Sequence, residues 1–327
     1  MGRFSAIAAI SLLLTPLADA RAQDAAPYPS KPVRLIAAAA PGGNPDVLAR
    51  LLSQKLADAF GKPFVVENVP GAGGVVAAKQ VAAAPADGHV LMLGDSGALA
   101  INVAINPDVG YDPLKDFTPI TALATVPTVL VIVPSLPAQD LQQFIDLARS
   151  KGGQMSYGSA GAGSVHHLTM AIFAERAGID MLHVPYRGGT ALVNGLLTGE
   201  IQAGWSGLPN VISLIETGKL RPLCLSVLRR SASLPNVPTC DERGLKGFDV
   251  ATMIGLQAPA GTPAAIVARL QAAAAKALRE PGMAERMTTL GIELQENGTA
   301  HYTQFIKDDL DRYRTEVRKL NLQVKAQ

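Results

Sequence analysis

Short apolar runs alternate with longer amphipathic stretches along most of the chain. The run VRLIAAAA (33–40) has no charge after Arg34, which is typical of a buried strand. The stretch DVLARLLSQKLADAF (46–60) repeats apolar residues at helical spacing and predicts an amphipathic helix. The same alternation predicts strands at 33–40, 63–67, 89–94, 120–124, 128–133, 155–158, 181–185, 201–205 and 222–228. It predicts helices at 45–60, 75–84, 139–150, 164–177, 190–198, 209–217, 263–278, 281–289 and 299–319. Strands that alternate with helices indicate an α/β fold with parallel-rich sheets flanked by helices.

The turn between the first strand and the first helix is rich in glycine. Gly42 and Gly43 let another group approach the backbone closely. Asn44 favours the N-cap of a helix, and Pro45 suits its first turn. The free N–H groups of such a helix start predict an anion site, although a plain strand-to-helix connection has the same composition.

Five further glycine-bearing turns follow predicted strands, at 70–84, 93–102, 157–173, 184–199 and 205–218. Ligands of open α/β sheets bind beyond the carboxyl ends of strands, so these turns together predict a cleft.

Two proline- and glycine-bearing segments, 126–140 and 247–263, predict crossings between two lobes. The strands and helices between them form a self-contained set. We therefore expect one lobe to consist of 23–130 plus 251–327, with the second lobe, 131–250, inserted into it. Two crossings between two lobes give a hinged central cleft that can close.

The N-terminal stretch MGRFSAIAAISLLLTPLADARA has an early arginine, a short apolar run and an Ala-Arg-Ala ending. These features predict a secretory signal peptide over 1–22, cleaved after Ala22, and a mature chain in the periplasm. No other apolar run reaches the length of a membrane-spanning helix. Removal of 1–22 takes away two arginines and one aspartate and leaves a formal charge of +1. A nearly neutral chain gives no electrostatic reason to expect a nucleic-acid partner.

Three kinds of chemistry have partial signatures in the chain. The turn at 71–74 is similar to a dinucleotide fingerprint, but Val76 stands where a small residue is required. Ser164 and His167 would lie one helical turn apart, but no G-x-S-x-G motif accompanies them, and Ser164 already serves as a helix cap. His166 and His167 point to different sides of a helix and do not predict a metal site. We therefore expect no catalytic residue, no cofactor and no metal.

Two further residue types leave alternatives open. Cys224 and Cys240 could form one bridge in an oxidising compartment or remain two packed thiols. Trp205, the single tryptophan, could pack in a core or form an apolar wall of the cleft.

Several stretches occur in a characteristic order and spacing: YPSKPVRLIAAAAPGGNPDVLARLLSQKL, VVENVPGAGG, ADGHVLMLGDSGALAIN, MSYGSAGAGSVHHL and HVPYRGG. Together they resemble the Bug family, the periplasmic substrate-binding receptors of tripartite tricarboxylate transporters. The resemblance covers essentially the whole mature chain.

It implies a two-lobed periplasmic-binding-protein fold of the Venus flytrap type, with a cleft for a small organic carboxylate. It also implies that the ligand passes to a small and a large membrane subunit. We expect a monomeric receptor rather than an enzyme. The alternatives are a periplasmic sensor or an exported enzyme that acts on a small carboxylate in the same cleft.

The resemblance assigns the ligand carboxylate to four turns, which are Pro41, Gly42, Gly43 and Asn44; Asp95, Ser96 and Gly97; Ser159, Ala160, Gly161 and Ser164; and Tyr186, Arg187 and Gly188. Four more candidates are Asp46 in the first turn of the first helix, His166 as a polar group of the cleft, and Trp205 and Ser206 in the fifth turn. Glycines at these turns would bring backbone N–H donors against a carboxylate with no side chain in the way.

Two departures from the family pattern concern specificity. Ala39 stands where the family usually has a bulky aromatic residue. Ser206 and Gly207 stand where it often has Asp-Asn. A ligand with an ammonium group would lose its partner there, so we expect a carboxylate that is not an amino acid, bulkier or aromatic, with Trp205 as one wall.

Overall fold

The computed structural model describes residues 28–322, so the predicted signal peptide lies outside the described residues. These residues form ten strands, which are β1 (Val33–Ala37), β2 (Phe64–Asn68), β3 (Val90–Asp95), β4 (Phe117–Ile132), β5 (Ser156–Ser159), β6 (Leu182–Pro185), β7 (Ala203–Gly207), β8 (Arg221–Leu225), β9 (Ala251–Pro259) and β10 (Glu293–Asn297). The α-helices are α1 (Asn44–Phe60), α2 (Val75–Ala82), α3 (Asn102–Ile105), α4 (Leu141–Ser150), α5 (Val165–Ala177), α6 (Gly189–Leu197), α7 (Leu208–Glu216), α8 (Ala264–Leu278), α9 (Pro281–Thr289) and α10 (Thr299–Lys319). A short helical turn at 72–74 precedes α2, and a wide one at 97–101 leads into α3.

The strands form two sheets that share β4. The first sheet has the order β2-β1-β3-β9-β4-β10, and the second has the order β6-β5-β7-β4-β8. Residues 117–127 of β4 pair with β9, and residues 128–132 pair with β7 and β8. We call the first sheet with α1–α3 and α8–α10 lobe 1, and the second sheet with α4–α7 lobe 2. The two-lobed α/β fold is confirmed, and the lobe boundaries at 130/131 and 250/251 stay a prediction.

The sheets are mixed, because parallel pairs lie away from β4 and antiparallel pairs surround it. β1 is parallel to β2 and β3, and β5 is parallel to β6 and β7. β4 runs antiparallel to β7, β8, β9 and β10. Two strands predicted at 120–124 and 128–133 are thus one long strand.

Three elements were absent from the sequence prediction. Residues 97–105 are helical but almost all buried, so they have no polar face and no amphipathic period. β9 lies between β3 and β4 and is buried along nearly its whole length, so its sequence has no apolar–polar alternation. The sequence analysis therefore assigned it to the crossing at 247–263. β10, ELQEN, is a short polar strand without an alternating apolar face.

Helix α10, predicted at 299–319, packs one apolar face into lobe 1. Tyr302, Ile306, Tyr313 and Val317 of α10 are buried, and Phe305 packs against the same cluster. The helix lies against β4 and the helical turn at 97–101 in lobe 1. Gly255 of β9 makes this packing possible, since a Cβ there would stand 2.1 Å from the Tyr302 ring.

The structure shows a disulfide between Cys224 of β8 and Cys240, both fully buried, with their Cα atoms 5.1 Å apart. Replacing both cysteines by serine is expected to lower the free energy of unfolding by about 3 kcal/mol, because the bridge restricts the unfolded chain. Urea denaturation with and without a reductant measures this. The reductant should bring the parent protein to the level of the variant and leave the variant unchanged. Equal midpoints for the oxidised parent and the variant would contradict the expectation.

Candidate ligand-binding site

A cavity of about 140 Å³ lies between the two lobes. Lobe 1 lines it with residues 38–40, 43–45 and 70–74, Asp95 and Gly97, and lobe 2 lines it with residues 160–161, 164–166, 186–189 and Asn210. Most of these residues are glycine, alanine or proline. The polar groups that face the cavity therefore come largely from the backbone.

Helices α1, α5, α6 and α7 and the helical turn at 97–101 all begin beside this cavity. Gly43, Gly188 and Gly207 precede α1, α6 and α7, and no side chain caps these three helix starts. Helix α4 contrasts with them, since Asp140 caps it by accepting a bond from the Gln143 backbone N–H. The first-turn N–H groups of these three helices thus have no side-chain acceptor, although Pro45 and Pro209 supply no N–H, and the helix dipoles favour an anion.

Asp46 shapes the first turn from within. The Gly42 backbone N–H, at φ +80°, donates to Asp46 Oδ2 at 2.8 Å, and Asn68 Nδ2 donates to Oδ1 at 2.9 Å. Arg50 pairs with the same carboxylate at 3.0 Å. Burial opposes ionisation, but these bonds hold the pKa of Asp46 below its ordinary value. Both oxygens of the Asp46 carboxylate therefore already have partners within the protein.

Ser159 has the same role in lobe 2. Its Oγ donates to the Gly161 carbonyl at 3.0 Å and contacts His183 Nε2 at 2.7 Å. Ser164 Oγ accepts a bond from the His167 backbone N–H at 3.3 Å, so the predicted N-cap of α5 is confirmed. These serines fix the backbone of the turn at 160–161.

His166 presents the least satisfied side chain of the cavity wall. Both ring nitrogens are shielded from solvent and have no hydrogen-bond partner. Burial lowers the pKa of His166 to about 4, so the ring is neutral at pH 7 and offers one donor and one acceptor. Arg187 is exposed. Burial and the nearby Glu200 raise the pKa of Tyr186 to about 12.

Asn102 joins the two lobes beside the cavity. Its Nδ2 lies 2.9 Å from the Gly97 carbonyl oxygen and 3.1 Å from those of Gly73 in lobe 1 and Gly163 in lobe 2. Gly163 has φ +76°, and a Cβ there would stand 2.1 Å from Asn102 Oδ1. Elsewhere Thr190 Oγ1 donates to the Pro41 carbonyl at 3.2 Å. The lobes are therefore closed onto each other.

Asp95 is the one acidic residue among the described residues of the lining. Its Oδ1 accepts a bond from the Ala98 backbone N–H at 3.2 Å. Burial raises the pKa of Asp95 to about 6, although backbone hydrogen bonds oppose the shift. The next residue faces away from the cavity, since Ser96 Oγ accepts a bond from the Met253 backbone N–H at 3.2 Å.

The structure brings eleven predicted site residues to the cavity wall, which are Gly43, Asn44, Asp95, Gly97, Ala160, Gly161, Ser164, His166, Tyr186, Arg187 and Gly188. Seven lie outside the lining, which are Pro41, Gly42, Asp46, Ser96, Ser159, Trp205 and Ser206. Ligand contact by any of them stays a prediction.

Trp205 lies in the core of lobe 2, which is the first of the two alternatives that the sequence left open. It is fully buried. Its ring stacks on Phe248 at 5.6 Å between centroids and meets the edge of Phe173 at 5.9 Å. Ser206 beside it is also fully buried. The apolar surface of Trp205 is therefore buried by contacts within the core.

The sequence places the turn at 70–84 in the predicted cleft, but neither residues 70–74 nor Asn210 were among the predicted ligand contacts, and the structure puts them in the lining. The composition PGAGG, after a predicted strand, is the signal for that turn. Asn210, in the first turn of α7, has no such signal. Among residues 28–322, no group of three or more His, Cys, Asp or Glu could hold a metal ion.

Two α/β lobes closed around a ligand-sized cavity define the class of two-lobed periplasmic binding proteins. The comparisons with known proteins agree. The chain belongs to the tripartite tricarboxylate transporter receptor family, whose model matches residues 48–322. Within the described part of the chain, no helix is both long and apolar enough to cross a membrane.

Individual relatives extend over nearly the whole chain. The protein BugT of Bordetella pertussis is 32% identical over 320 residues, which cover 98% of each chain. Rpa4515 of R. palustris, solved with adipate, has a TM-score of 0.88 at 30% identity and covers 90% of this chain and 99% of its own. MatC of Rhodopseudomonas palustris, solved with bound malate, has a TM-score of 0.85 at 32% identity, over 89% of this chain and 100% of its own. The resemblance to the Bug family is thus confirmed.

Proposed function

We propose that this chain is a periplasmic receptor that holds a small carboxylate in the interlobe cavity and delivers it to the small and large membrane subunits of a tripartite tricarboxylate-type transporter. The uncapped helix starts around the cavity carry this proposal. A hydrogen bond to a charged group contributes roughly 1.5–3 kcal/mol. Micromolar binding needs about 8 kcal/mol, so several such bonds suffice without a buried cationic side chain.

The size of the cavity supports a small ligand. Its volume of about 140 Å³ is close to the roughly 150 Å³ of a cavity that holds benzene. The unpartnered nitrogens of His166 and Oδ1 of Asn44 supply polar contacts in the wall. Adipate and malate, present in the two related structures, are small dicarboxylates. These observations favour a compact aliphatic acid over the bulkier or aromatic acid expected from the sequence.

Export and release complete the proposal. Residues 1–22 are a signal peptide, and the mature protein is a periplasmic monomer that begins at Gln23. The mass of the protein purified from the periplasm tests the cleavage site. The receptor returns its ligand unchanged, so chromatography of the ligand after prolonged incubation separates it from an enzyme acting in the same cleft.

A thermal-shift panel tests ligand binding on residues 23–327. The panel contains adipate, malate, tricarboxylates, aromatic acids, amino acids and neutral sugars. A ligand that binds only the folded state raises the melting temperature with concentration. We expect a dose-dependent shift with small di- or tricarboxylates and none with sugars. A sugar that gives the largest shift would overturn the proposal.

Ala160→Phe tests whether the cavity is the site. Ala160 lies in the cavity wall, and a phenyl ring there would occupy much of the available space. The variant should lose the carboxylate-induced thermal shift and keep the melting temperature of the unliganded protein. Ala59→Phe, the same change on the exposed face of α1, is the matched control and should bind normally. A full shift in Ala160→Phe would place the ligand elsewhere.

A further inference from the structure

The wall of the cavity that is proposed to hold a carboxylate contains an acidic side chain, Asp95. Asp95 lies at the start of the helical turn at 97–101, and its Oδ1 already accepts the Ala98 N–H. The ligand carboxylate would use the same kind of donor in the same cavity of about 140 Å³. Two carboxyl groups confined in so small a space lie close together, and like charges at short range do not both stay ionised.

No cation of the cavity wall neutralises Asp95. Arg187 is the one cationic residue of the described lining, and its side chain is exposed. Burial raises the pKa of Asp95 and backbone hydrogen bonds lower it. No ion pair is among the interactions that lower it.

The groups around Asp95 do not replace such a cation. From α5, His166 is neutral because burial lowers its pKa to about 4. Three buried tyrosines, Tyr111, Tyr302 and Tyr313, also interact with Asp95. Burial raises their pKa values and the charge of Asp95 raises them further, so these tyrosines stay neutral. In α10 the Asp309 carboxylate is paired with Arg312 at 2.6 Å, which leaves no net charge there.

We propose that Asp95 binds the ligand in its protonated form, donating a hydrogen bond from its carboxyl O–H to the ligand carboxylate, so that one proton is taken up from solvent when the ligand binds. This inference rests on the proposed function. It makes Asp95 a specificity-determining residue, because its protonated carboxyl donates a hydrogen bond to an acceptor such as a ligand carboxylate.

Isothermal titration calorimetry on residues 23–327 tests the proton uptake with adipate and with malate. Titrations at pH 7.5 in two buffers of different ionisation enthalpy should give an uptake of about one proton per ligand. The affinity should fall about tenfold for each pH unit between 7 and 8.5, where both acids are fully ionised. Asp95→Asn, whose amide donates without a titrating proton, should bind with no proton uptake and a flat pH profile. Asp108→Asn, at an exposed loop position, is the matched control and should keep the parent profile.

The other outcomes are distinguishable. An affinity that rises with pH and is lost in Asp95→Asn would mean that an ionised Asp95 accepts a bond from a ligand donor, and it would overturn the inference. A flat profile in the parent protein would overturn it while leaving the receptor function intact. If neither acid bound at any pH, the proposed function would fail for these acids and the inference with it.

Discussion

Asn102→Asp is expected to separate the lobes and to lower the free energy of unfolding by about 3 kcal/mol or more. The parent amide places one nitrogen within reach of three carbonyl oxygens, two in lobe 1 and one in lobe 2. Aspartate has no donor, so a buried charge would face those three oxygens, and breaking such a buried contact is costly. Urea denaturation measures the stability, and small-angle scattering of the unliganded protein should show a larger radius of gyration.

The control for this change is Asn106→Asp, four residues further along. Asn106 Oδ1 accepts a bond from the Asp108 backbone N–H at 3.1 Å, a role that a carboxylate oxygen keeps. We expect this variant to match the parent protein in both measurements. If Asn102→Asp also matched it, the lobes would be held together by contacts other than Asn102.

Trp205→Ala is expected to lower the free energy of unfolding by about 3–5 kcal/mol, the usual range for removing a large buried aromatic side chain. The indole is fully buried between Phe173 and Phe248. Its loss would leave a cavity in the core of lobe 2. Chemical denaturation of the parent and the variant gives the difference directly.

Trp205→Phe separates a core role from a ligand contact. The smaller ring should cost less stability than alanine, and the order of ligand affinities in the thermal-shift panel should not change. A variant with parent stability but a changed order of affinities would show that Trp205 does contact the ligand.

Local patterns allowed much of the fold to be predicted, and tertiary packing decided the rest. The unit β1–α1 was predictable because its strand is a buried apolar run and its helix has one apolar face. The helical segment at 97–105 was missed because the fold buries nearly all of it. The long β4 was predicted as two strands, because no local sequence pattern indicates that one strand changes partners and continues from the first sheet into the second.

The site was predictable to the level of the turns but not of individual side chains. Strand-end glycines correctly pointed to the turns around Gly43, Gly97, Gly161 and Gly188, all of which reach the cavity. The direction of Asp46 and Ser159 depends on partners such as Asn68 and His183, which lie far away in sequence. Asn210 reaches the cavity only because lobe 2 places the start of α7 there.

The sharing of β4 determines how this protein can be divided by genetic engineering. Residues 117–127 lie between β9 and β10, and residues 128–132 lie between β7 and β8. A fragment that starts at 133 would lack the strand between β7 and β8 and would expose two sheet edges, which promotes aggregation. A fluorescent biosensor made from this receptor should therefore keep the chain whole and carry its reporter in a surface turn, such as the one at 151–153.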